Sequence, residues 1–142
     1  MTDFSRIHWQ PIEGLDQLTG MVDGLLEQSQ VFYATLSQAR ERPQLLDTAI
    51  LDRAQQQYGE RAYWLDVYAE QFRRWRALPL TPPQRETVDR LSREVEATRP
   101  VVVQVLALVE ELRLGSLGQR RERGAAEQAL AELAGVPTRD DL

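Results

Sequence analysis

Residues Thr81–Leu112 read TPPQRETVDRLSREVEATRPVVVQVLALVEEL, and the reading of this stretch decides the fold. Val88, Leu91, Val95, Thr98, Val102, Val105, Val109 and Leu112 recur at steps that alternate three and four without a slip. Only an α-helix brings positions at that spacing onto one face. Thr81 with Gln84 three residues later makes a capping box, and Pro82 suits the first helical position. Pro100 lies inside the pattern, where it deletes one backbone bond and costs about 3 kcal/mol. The register passes through it unshifted, so the spacing predicts one kinked helix; a break into two is the competing outcome. Gly115-Ser116-Leu117-Gly118 reads as the end of this helix. Ser116 and Gln119 repeat the capping spacing and predict a short fourth helix to about residue 134, stopped by Gly135 and Pro137.

Working outward, residues upstream carry the same signature. Leu15, Leu18, Val22, Leu25, Ser29, Phe32, Leu36 and Ala39 again step by three and four, which predicts a single helix to about Arg40. Gly20 and Gly24 lie on one of its faces and read as tolerated. Pro43 punctuates the chain, and a second helix is expected from about Gln44 to Ala77. Its stripe is Leu51, Tyr58, Leu65 and Phe72, flanked by Ala54, Ala62, Tyr68, Ala69 and Trp75. Arg73, Arg74 and Arg76 complement the dipole in its last turns. Short connections between long helices enforce antiparallel neighbours. The expected fold is therefore all-α: an antiparallel helical bundle of three long helices plus a short C-terminal helix. Residues 1–12, with Phe4, Ile7, His8, Trp9 and Pro11, read as an N-terminal arm that docks on the bundle. The bundle is expected over 13–135 and a polar tail over 136–142.

Composition excludes several chemistries. The 142 residues contain no cysteine, so disulfides, thiolate metal sites and cysteine nucleophiles are ruled out. Every one of the 17 basic residues is arginine, so neither a Schiff-base lysine nor a phosphate-loop lysine exists. The absence of lysine and asparagine points to a GC-rich bacterial genome. A net charge of -5 argues against nucleic-acid binding. The first residues lack a basic stretch followed by an apolar run, and no apolar run approaches the roughly 20 residues a membrane span needs. A cytoplasmic protein is expected, without membrane attachment.

No metal, cofactor or catalytic residue is expected. His8, the single histidine, lies outside the helices. A magnesium-dependent nucleotide hydrolase would need clustered carboxylates on two helices. Its candidates, Glu86, Asp89 and Glu110 with Asp66, Glu70 and Glu111, lack that spacing, and this enzyme stands as the less favoured alternative.

Two stretches carry the functional expectation. Residues Val101–Val109 are apolar around the whole helix, which implies burial on every side. A second subunit or the chain's own fourth helix or arm would have to cover the outer face, and Val101, Val103, Leu106 and Leu108 are assigned to association. Tyr63, Trp64, Tyr68 and Trp75, with Arg73 and Arg74, are assigned to a ligand or partner surface, because tyrosine, tryptophan and arginine dominate binding hot spots. The sequence thus predicts a non-enzymatic bundle acting by protein–protein association, as a homodimer or with a helical partner. A ligand-sensing bundle with an aromatic-lined cleft is the alternative.

Overall fold

A computed structural model describes the backbone of residues 3–42 and 46–133 and the side chains through residue 115. An irregular arm leads through a 3-10 turn, Ile12–Gly14, into α1 (Leu15–Val22) and α2 (Leu25–Ala39). α3 (Thr48–Arg76) and α4 (Pro82–Leu133) follow. The structure is 81% helical, without a strand among the described residues, so the all-α class holds.

α4 is the spine. α1, α2 and α3 all pack along it. Its ion pairs give the directions. Arg76 meets Asp89, and Arg113 meets Asp52, so α3 runs antiparallel to α4. Arg90 meets Asp23 and Arg40 meets Glu111, so α2 runs parallel to it. α2 and α3 are joined to one another by side chains. Phe32 stacks on Tyr58 with ring centroids 4.9 Å apart, and Arg61 donates to Ser29 Oγ at 2.9 Å.

The three-four stripes form the core. Val88, Leu91, Val95, Val102, Val105 and Val109 of α4 are buried against Leu51, Leu65 and Phe72 of α3 and Val22 and Leu36 of α1 and α2. The capping box forms as its spacing requires. Thr81 N donates to Gln84 Oε1 at 2.9 Å, and Gln84 N donates to Thr81 Oγ1 at 3.3 Å. α3 starts at Asp47, whose Oδ1 accepts from Ala49 N at 3.0 Å.

α4 continues unbroken through Pro100. Pro100 and Glu96 are both exposed, so the carbonyl that loses its amide partner sits on the solvent side of the helix. It also continues past Gly115–Gly118 to Leu133, where a stop and a separate short helix were expected. Gly115 takes no left-handed conformation, and without one the backbone keeps its helical course. The expected cap at Gly135 and the tail over 136–142 lie outside the described residues, and α3 begins at Thr48, later than the start expected near Gln44, because Asp47 caps it.

The single upstream helix is also corrected. It breaks into α1 and α2 at Asp23-Gly24, because Gly24 adopts φ 90°, which L side chains rarely take. α4 fixes the break from outside. Arg90 Nη1 donates to Asp23 Oδ1 at 2.7 Å, and Glu94 Oε1 accepts from Leu26 N at 3.3 Å, one of the amides that a helix start leaves unpaired.

Candidate functional site

The arm lies on the last turns of α3 and on α1. Gln71 is 4% exposed on α3, in a position that would otherwise be core. A buried amide needs partners for both of its ends. Its Oε1 accepts from Gln10 N at 2.7 Å, and its Nε2 donates to Gln10 O at 3.2 Å. Trp75 Nε1 donates to the same carbonyl at 2.9 Å. Arg74 lies over the Trp9 ring, 4.2 Å from its centroid, and Phe4 meets Trp9 edge to face. Tyr63 OH donates to Asp3 O at 3.2 Å.

Held this way, the arm forms one wall of a cleft. The opposite walls are α1 and α3, and the cleft volume is about 330 Å³. Ile7, Leu18, Met21, Trp64, Val67 and Tyr68 give it an apolar lining, with Gln17 and Gln71 among its polar groups. Arg6 and His8 of the arm supply its remaining charge-bearing chemistry. Trp64 and Met21 are large apolar side chains left 44% and 48% exposed, so the cleft is open at that edge. Trp64 and Tyr68, with ring centroids 6.1 Å apart, also line a shallower hollow on the α2 side with Glu60 and Arg61. Burial pushes the Tyr68 hydroxyl's pKa up, with the charge of Arg61 pulling the other way, so it is a protonated phenol at neutral pH.

The structure divides the expected aromatic and arginine surface. Trp64 and Tyr68 line the cleft. Trp75 does not: it is 1% exposed, its ring in the core and its indole N–H tied to the arm. Tyr63 and Arg74 hold the arm. Arg73 pairs with Glu70, whose carboxyl is held below the usual glutamate range by the Arg73 hydrogen bond and by the charges of Arg73 and Arg74.

The expected association face is divided too. Leu108 is 2% exposed and belongs to the core, as do Val102, Val105 and Val109. Leu108 lies beside the main stripe, next to Val105 and Leu112, and α2 and α3 together make the buried side of α4 wider than one stripe. Val101 and Leu106 are half-buried, and Val103 is 65% exposed.

Asp89 lies 21 residues from Glu110 on one continuous helix, and Glu86 lies farther still. The shorter span is roughly 32 Å at 1.5 Å per residue, too far to share an ion within one chain. Among the described residues no group of histidines and carboxylates is placed to hold a metal, and no helix is long and apolar enough to cross a membrane. Arg6 and His8, absent from the sequence-based surface, had no periodic signal that could find them. Gln71 did: it is a polar residue set beside Phe72 on the buried side of the Tyr68–Trp75 turn.

Comparison with protein-family models, with curated proteins and with solved structures finds no match.

Proposed function

We propose that this protein is a non-catalytic binding module whose site is the cleft between the arm, α1 and α3. One observation carries the reading. A volume of about 330 Å³, within the range of small-molecule sites, combines an apolar lining with a few polar groups. The described lining contains no serine, threonine or carboxylate that could act as nucleophile or paired base. Trp64 is at once a wall of the cleft and its reporter. Titration of a library of small amphiphiles and hydrophobes, followed by tryptophan fluorescence, should yield saturable responders. Trp64→Ala should abolish them while circular dichroism stays that of the wild type. A null across the library, with Trp64→Ala indistinguishable from wild type in stability and self-association, refutes the cleft.

Self-association is a second reading, and a separate observation supports it. Val103 and Leu114 stand 65% and 60% exposed on α4, three helical turns apart, with Pro100 and Ala107 exposed between and before them. A parallel or antiparallel copy laid on this stripe would cover them, with half-buried Val101 and Leu106 at its edge. Light scattering over a hundredfold concentration range, with Val103→Glu beside the wild type, tests it. A strict monomer throughout refutes it.

A further inference from the structure

The lining of the cleft differs in charge from three other hollows of the surface, each of which holds a glutamate. The chain as a whole carries -5, from 22 acidic against 17 basic residues. The twelve lining residues include Arg6 and His8 but no aspartate or glutamate. Several arginines outside the cleft are tied to acids, among them Arg40, Arg73, Arg76, Arg90, Arg99 and Arg113. Arg6 lines the cleft, is exposed, and has no such tie among the described residues. A guanidinium presents a planar fork that fits a carboxylate with two parallel bonds. The adjacent hollow on the other side of Trp64 and Tyr68 does not share this character, because Glu60 lies in it beside Arg61.

Resting on the cleft reading above, we propose that the ligand is an amphiphilic monocarboxylate, its apolar body against Trp64, Tyr68, Met21 and Leu18 and its carboxylate at Arg6 and His8. The apolar lining selects the body. A single permanent positive charge matches a single negative one, and the acidic surface beyond the cleft disfavours di- and trianions. The His8 ring and the amides of Gln10 and Gln17 add hydrogen-bond donors.

The test compares octanoate with octanol, which share the apolar body and differ in the head group. Isothermal titration and tryptophan fluorescence are read on the wild type and on Arg6→Gln. Arg6 is exposed, so the substitution leaves the core intact, and circular dichroism verifies this. The wild type should bind octanoate about tenfold or more tightly than octanol, the scale of one charge-assisted hydrogen bond. Arg6→Gln should erase that preference and leave octanol binding unchanged. Equal affinity for the two compounds in the wild type overturns the carboxylate assignment while the cleft itself stands. A preference that survives Arg6→Gln overturns the assignment to Arg6. No binding of either compound, with none from the wider library, removes the cleft and this inference together.

Discussion

Two stretches of this chain carry the same three-four apolar register, and they fold differently. Residues 15–39 break in two at Gly24, whereas α4 runs unbroken past Pro100. A glycine breaks one helix and a proline does not break the other. An unbroken register shows which side chains share a core; it does not show that the backbone between them is continuous. In both stretches the stripe stays buried, on both sides of the Gly24 break and on both sides of Pro100. What differs is the fate of the backbone groups. At Pro100 one carbonyl is released to solvent. At Gly24 a new helix start is created, and one of its free amides, that of Leu26, finds Glu94 of the neighbouring helix.

This contrast can be broken by substitution. Pro100→Ala should have the largest effect, restoring a helical bond and raising stability by about 1–3 kcal/mol in denaturant unfolding. A loss of stability would mean that Pro100 itself is required by the packing of α4. Gly24→Ala comes next. Forcing a Cβ into the left-handed conformation should cost about 1–2 kcal/mol by the same measurement. Gly20→Ala should do the reverse and add about 0.5–1 kcal/mol, because its Cβ would meet nothing within 4 Å and its backbone is already helical. Two glycines four residues apart should thus respond with opposite signs. The smallest effect is expected from Arg90→Gln, which cuts the tie to Asp23. Both side chains are about half exposed, so the loss should be about 0–1 kcal/mol and should fade as salt is raised. A larger loss would show that the break is held by charge rather than by glycine.

Much of the fold was legible because burial imposes periodicity. Leu51, Tyr58, Leu65 and Phe72 were placed in the core by spacing alone, and all are buried. The Thr81–Gln84 box was legible because its bonds are local. The break at Gly24 had a local sign, the turn pair Asp23-Gly24, but the apolar register across it argued for continuity. The stop expected at Gly115–Gly118 shows the opposite error, since glycine permits a left-handed cap without requiring one. For the candidate site, Trp64 was legible, with Tyr63, as an aromatic off the centre of the stripe, whereas Tyr68 lay beside the stripe and pointed equally to the core. Trp75 was misplaced because its partner, the Gln10 carbonyl, lies 65 residues away and carries no side-chain signature. Arg6 and His8 reach the cleft only because the arm docks, and docking depends on that same distant clamp.

The spine arrangement also sets an order in time. α3 and α4 meet across the few residues Ala77–Thr81, whereas α2 reaches α4 only after the chain has travelled the whole length of α3. Closing a short loop costs less chain entropy than closing a long one. The α3–α4 hairpin is therefore the unit that condenses first, and α1 and α2 dock onto a surface already made. Substitutions at Leu65 or Val102 should slow refolding, while those at Val22 or Leu36 should chiefly hasten unfolding. The cleft, which needs α1, α3 and the arm together, is among the last features of the molecule to exist.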